Sequence, residues 1–156
     1  MSNATRHVVD KSTWGDGPWQ QEPDRVQWEH AGLDCLMVRV QTHGAWCGYV
    51  GVPQGHPAHG KGYDDASLES IEVHGGLTYA DACQGRICHV PAPGRPDDVW
   101  WLGFDTAHCF DLSPSMSARM KSYGLDREPF ASEVYRDQAY VAAETEALAR
   151  QLAAMS

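Results

Sequence analysis

The sequence predicts an α+β fold, a single domain over residues 1–156 in which a largely antiparallel sheet packs against a long C-terminal helix. Two apolar runs, 35–42 and 45–52, are separated by a short turn containing Gly44. Val99 to Phe104 is the most apolar run in the chain. From Ser132 to Met155, the residues Val134, Val141, Leu148, Leu152 and Met155 recur at helical spacing. Strands first and a long helix last is the order of an α+β domain rather than of alternating β-α units.

Composition supports one core. The chain has 156 residues, 42% of them hydrophobic, and six Trp and six Tyr supply large areas to bury. The net charge of -9 comes from 21 acidic against 12 basic residues, with no basic block, so no extended nucleic-acid groove is expected. An anionic small molecule remains open as a ligand if a metal or a few arginines meet it. No run approaches the ~18 apolar residues of a spanning helix, and no export signal opens the chain, so a cytoplasmic protein without membrane contact is expected. The five cysteines, an odd number, are accordingly expected as reduced thiols.

Taken in order, residues 1–30 read as an irregular arm pinned by Trp14, Trp19 and Trp28. Sheet and loops are expected over 34–105. Leu36, Val38 and Val40 alternate in the first strand, and Trp46 to Val52 forms its hairpin partner, ended by Pro53. Residues 54–65 hold three glycines and a proline and must be a loop, one that carries His56, His59, Tyr63, Asp64 and Asp65. A third strand is expected over Ser70 to Val73, turning at Gly75-Gly76, and the proline-rich segment 84–98 reads as a surface loop. Val99 to Phe104 is expected to be a central strand buried on both faces, with Asp105 at its end. Leu112 to Gly124 is ambiguous, with Pro114 placed for the first turn of a short helix. The closing helix, 132–155, is expected to start at a Ser132 N-cap with Glu133 at the positive end of the dipole.

Candidate chemistry gathers at three blocks. In Gly55-His56-Pro57-Ala58-His59-Gly60 the proline fixes φ between two imidazoles, so both can face one point. The alternative is a surface turn whose histidines bond to the backbone. His74, before Gly75-Gly76, is either a third imidazole beside main-chain anion donors or a half-buried strand histidine. Asp105, His108 and Asp111 follow the buried strand at intervals of three, and an ionised carboxylate there is costly without a cation or donors. Histidine with aspartate suits Zn, Mn or Fe, or a metal-free base and its orienting partner. The alternative is that Asp105 caps a helix starting at Thr106.

Several ordered blocks carry a resemblance. They are Trp46 to Pro53, the Gly-His-Pro-x-His-Gly loop, Val73 to Tyr79, Trp101-x-Gly103-Phe104-Asp105 with His108 and Asp111, and Tyr135-Arg136-Asp137-x-x-Tyr140-Val141. Together they resemble a family of small uncharacterised proteins often encoded by bacteriophages and their hosts. The resemblance implies a phage-related, cytoplasmic setting and no particular reaction.

The function expected from these residues is a small metal-dependent hydrolase acting on a phosphorylated or nucleotide-like small molecule. His56, His59, His74, Asp105 and His108 are its candidate ligands for a divalent metal, Zn or Mn. Asp105, His108 and Asp111 are its candidate catalytic groups, and Gly75, Gly76, Tyr63 and Arg119 its candidate substrate contacts. The competing expectation is a non-catalytic, phage-related binding protein that sequesters a small nucleotide or a host protein.

Overall fold

The computed structural model describes residues 7–84, 87–88, 98–124 and 133–155. Its strands are β1 (Arg25–His30), β2 (Leu33–Arg39), β3 (Trp46–Val52), β4 (Tyr79–Ala82) and β5 (Trp100–Asp105), and its helices α1 (Pro114–Ser122) and α2 (Gln138–Ala153). The strands form one sheet in the order β1-β2-β3-β5-β4, every pairing antiparallel. The α+β architecture with its C-terminal helix on the sheet is therefore present.

The expected hairpin is β2 and β3, in register at Met37 and Gly48. Before it lies a strand that the tryptophan-rich arm was not expected to hold. β1 joins β2 through Ala31 and Gly32, whose φ of 54° and 79° give the two left-handed residues that a two-residue hairpin turn requires. The strand expected at Ser70 to Val73 is absent, because those residues run without a ladder. The partner of β5 comes later, at Tyr79–Ala82, beyond the Gly75-Gly76 turn. β5 matches the apolar run, with Trp101, Leu102 and Phe104 buried, and lies between β3 and β4.

α2 starts later than its periodicity suggested. Asp137, not Ser132, is its N-cap and accepts the Tyr140 N–H at 2.9 Å. Ser132 lies outside the described residues. Val134, counted in the apolar stripe, stands outside the helix, is exposed, and pairs its backbone with Asp111 in an isolated parallel bridge. Pro114 takes a first-turn position of α1, as its fixed φ favours.

α2 lays Val141, Leu148, Ala149 and Leu152 onto a face built from Leu33, Cys35, Met37, Val50, Val52, Leu102 and Phe104. Each such large side chain contributes about 1.5–3 kcal/mol by leaving water. Close approach needs Gly48: a Cβ there would stand 2.3 Å from Thr145 Oγ1 and 2.6 Å from Phe104 Cε1. The opposite face buries Leu36, Val38, Tyr49, Val99 and Trp101.

The N-terminal arm is fastened by a buried cation. The fully buried Arg39 donates from Nε to Asp24 at 2.9 Å and from Nη2 to Glu22 at 2.8 Å. Its Nη1 donates to the Gly44 carbonyl and the Tyr135 hydroxyl, and its guanidinium lies 4.5 Å from the Trp46 ring centroid. Glu22 also accepts from the Tyr135 hydroxyl and from the Gln138 N–H, so the arm reaches the start of α2. Every member is bonded, which makes this network structural; removing one partner of such a buried pair costs about 3–5 kcal/mol. Val9, Trp14 and Trp19 form a small cluster beside it.

Cys83 and Cys88 are joined as a disulfide, which corrects the expectation of five reduced thiols. Sequence arithmetic failed here because an odd total conceals a local pair, which closes around a narrow turn where Gln84 and Ile87 bridge. Cys35, Cys47 and Cys109 are free, and burial pushes the Cys35 and Cys47 thiols up to about 12. The loop expected over 84–98 lies mostly outside the described residues. No helix among the described residues is long and apolar enough to cross a membrane.

Candidate functional site

His74 ends an irregular stretch before the Gly75-Gly76 turn and meets the first turns of α2. Its main-chain N–H donates to Glu144 at 2.8 Å. Its ring is spent on both sides: Nε2 lies 2.7 Å from Asp111 Oδ2 and Nδ1 lies 2.8 Å from the Tyr140 hydroxyl. An ionised carboxylate only accepts, so Nε2–H donates to Asp111, and in the neutral ring Nδ1 accepts from the Tyr140 O–H.

Asp111 is the buried centre of this group. Oδ2 accepts from His74 and from the His108 main-chain N–H at 3.1 Å, while Oδ1 accepts from Arg136 Nε at 2.9 Å. Burial pushes its carboxyl up, but the bonds from His74, Arg136 and the His108 N–H outweigh that and hold it below the ordinary carboxylate range. Arg136 lies over the Tyr140 ring, 4.8 Å from its centroid. The result is one continuous chain, Tyr140 to His74 to Asp111 to Arg136, made of neutral and charge-assisted bonds.

His108 stands across from His74, with ring centroids 6.0 Å apart. The ring lies over Gly75, where a Cβ would come within 2.3 Å of Nε2, so only glycine permits this position. His108 Nε2 is 3.2 Å from Asp105 Oδ1, yet the pair is off the line of a hydrogen bond and Nε2 is buried without a hydrogen-bond partner. Asp105 otherwise accepts from the Ala107 N–H at 3.0 Å and from Thr78 Oγ1 at 3.2 Å. The Ala107 bond shows that Asp105 caps a turn, but no helix begins at Thr106.

The sequence-expected ligands divide into two groups. Asp105, His108 and His74 meet around Gly75, together with Asp111, expected as a catalytic group rather than a ligand. His56 and His59 belong elsewhere. His56 Nε2–H donates to the Leu152 carbonyl at 2.8 Å, closing the C-terminal end of α2, and its Nδ1 accepts the Ala58 N–H at 3.0 Å. Leu152 lies twelve residues beyond Tyr140 on α2, about 18 Å at the helical rise. His59 Nε2–H donates to the Asp98 carbonyl at 3.0 Å. The backbone-bonded alternative describes this loop, and the five-residue ligand set is not assembled. Among the described residues no group of three or more His, Cys, Asp or Glu side chains is arranged to hold a metal ion.

Of the expected substrate contacts, Gly75 lies against His108, while Gly76 spends its N–H on the Val73 carbonyl at 2.8 Å. Tyr63 is exposed on the His56 loop and Arg119 is in the last turn of α1. Among the described residues no hydrogen bond or ion pair joins either to the His74 group. Sequence reasoning did not assign roles to Arg136, Tyr140, Glu144 and Thr78. Tyr135-Arg136-Asp137-x-x-Tyr140 offered a signal: an N-cap Asp137 puts Tyr140 in the first helical turn and leaves Arg136 just outside it.

The fold and this cluster define an antiparallel sheet-and-helix protein carrying a buried, hydrogen-bonded His-Asp centre at one end of α2. No protein family, curated protein or solved structure matches the chain.

Proposed function

We propose that the chain is a small hydrolase whose working groups are His108 and Asp105, held in place by the Tyr140-His74-Asp111-Arg136 chain. The observation that carries this reading is His108 Nε2, a buried atom that makes no hydrogen bond and stands in ion-pair contact 3.2 Å from Asp105 Oδ1. A buried polar atom without a partner is uncommon, and it asks for something to fill it. Two ligands at about 2.1 Å from a metal and at right angles to it lie about 3 Å apart, which is the separation of this pair.

A divalent cation also fits the electrostatics. Asp111 is paired with Arg136, while Asp105 beside His108, Glu144 at the His74 N–H and Glu133 near Asp111 add carboxylates, so a phosphorylated or nucleotide-like substrate brings negative charge to an already acidic group. His108 and Asp105 would hold such a cation, which would offset that charge. This donor set favours Mn, while Zn remains chemically acceptable. Held by His108 and Asp105, such a cation would supply Lewis-acid polarisation and water activation. His74 then acts as a positioning residue, since both of its nitrogens are engaged and its partner Asp111 fixes the His108 main chain. The cytoplasmic, phage-related setting suggested by the sequence blocks belongs to the same reading.

The test is metal analysis and Mn or Zn titration of chelator-free protein, followed by a phosphate-release screen over small phosphoesters and nucleotides. Stoichiometric metal and turnover that falls about 100-fold or more in His108→Ala and Asp105→Asn are expected. Metal that still binds stoichiometrically to the double variant, or no turnover by the wild type, overturns the proposal. Recovery of an unmodified bound ligand would instead support the binding-protein alternative.

A further inference from the structure

β1 lies at one edge of the sheet, and among the described residues it has a neighbouring strand on one side only, β2. Register fixes which of its main-chain groups serve that neighbour. The Arg39 N–H donates to the Asp24 carbonyl at 2.9 Å, and hydrogen-bonded pairs in an antiparallel ladder recur at every second residue. Val26, Trp28 and His30 therefore turn their N–H and C=O groups to β2, while Arg25, Gln27 and Glu29 turn theirs outward from the sheet. Such an edge is a template for another strand.

The side chains alternate in step. Val26 and Trp28 are half-buried on the face that α2 covers. Arg25 is on the opposite face, where its Nη2 donates to the Cys88 carbonyl at 2.8 Å and to Gln27 Oε1 at 3.3 Å. Its Nε is buried and makes no hydrogen bond, and among the described residues no carboxylate pairs with it. A buried donor left in that state is costly. Glu29, on the same face as Arg25, is exposed, and among the described residues its carboxylate makes no hydrogen bond or ion pair.

Antiparallel pairing of β1 with a copy of itself about Gln27 sets Arg25 opposite the partner's Glu29, and Val26 opposite the partner's Trp28. Arg25 and Glu29 are positions whose main-chain groups face outward, so charge, apolar contact and hydrogen-bond phase select the same register. A slip of one residue loses the phase, and a slip of two keeps the phase but parts both ion pairs. We propose that β1 is a homodimer interface, along which a second copy of this chain pairs antiparallel with its axis at Gln27 and the two sheets run on as one. The contact over 25–29 is about 17 Å long at the strand rise, which is small for a specific interface, so a Kd of roughly 1–100 µM is expected.

The experiment is sedimentation equilibrium of the full chain over about 1–500 µM, with circular dichroism and thermal melts to establish folding. Wild type is expected to dimerise. Glu29→Arg, at an exposed position, sets like charges opposite each other at both ends of the contact and should weaken Kd about 10-fold or more. Arg25→Glu should do the same. An equimolar mixture of the two variants restores opposite charges at every facing position, so it should dimerise about as tightly as wild type. A wild type that stays monomeric at the top of the range overturns the interface, and so does a dimer whose Kd is unchanged in Glu29→Arg. Neither outcome depends on Arg25→Glu, which alters a contact made within the fold. A mixture of folded variants that stays monomeric overturns the register, and the proposal with it.

Discussion

Replacing Gly75 and Gly76 separately by alanine isolates what the His108 position is worth. Both glycines have left-handed backbones, at φ +69° and +81°. In that region an L-residue costs about 1–2 kcal/mol, of which about 0.4–1 kcal/mol is returned by the stiffer unfolded chain. At about 2–4 °C per kcal/mol for a chain of this size, each variant should melt a few degrees below wild type. Only Gly75→Ala touches the site. Its Cβ would lie 2.3 Å from His108 Nε2 and 2.4 Å from Cδ2, whereas nothing lies within 4 Å of a Cβ on Gly76. The imidazole, at the end of a half-exposed side chain, must retreat about 1 Å to reach ordinary contact, and a misplacement of that size can cost about 100-fold in function. The assay pairs thermal melts with NMR of the histidine ring protons under Mn titration, where Mn broadens nearby resonances. Gly75→Ala should shift the His108 signals and weaken their broadening, while Gly76→Ala should leave both as in wild type at similar stability. Equal effects of the two substitutions on the His108 signals would refute the placement of the ring over Gly75.

Two further outcomes follow from buried groups. Asp111 has its folded-state pKa held below the unfolded value, so its stabilisation is whole above the ordinary carboxylate pKa of about 3.9 and is lost as the pH falls through the lower folded value. Tm should therefore fall more steeply with acid in wild type than in Asp111→Asn below about pH 4, and identical acid slopes would count against the bonded carboxylate. For the cysteines, a thiol reagent should modify Cys109 alone in native protein, three thiols after unfolding and all five after unfolding with reductant. Five reactive thiols in unfolded protein purified without reductant would remove the Cys83–Cys88 pair.

The legible part of the fold was the part whose signal is local. Alternation across Leu36 and Val38 and the β-branched run into Val52 are consequences of a pleat with period two, and both appear in the β2-β3 hairpin. The Asp105, His108 and Asp111 spacing marked a turn after a buried strand, and that turn is where the polar cluster forms. β1 was missed although Val26 and Trp28 alternate with Arg25, Gln27 and Glu29, because the run is short, holds two apolar residues and follows an arm rich in Gly and Pro, and an edge strand is recruited by its neighbour's ladder. The start of α2 was misplaced because Val134 fits a helical stripe by spacing alone, while its backbone is taken by Asp111 and Phe110.

By itself the sequence determined the strand-then-helix order, the buried run into Asp105 and the residue types available for chemistry. Each follows from neighbours in the chain. Which histidines meet was decided only by the tertiary structure. The Gly-His-Pro-x-His-Gly pair and His74 look alike as residues, but His56 closes the far end of α2 while His74 docks against its first turns, and no local rule encodes a separation set by the length of a helix. Tyr140 and Arg136 became partners of His74 and Asp111 for the same reason: long-range packing of α2 on the sheet brings together residues that lie 66 and 25 positions apart in the chain.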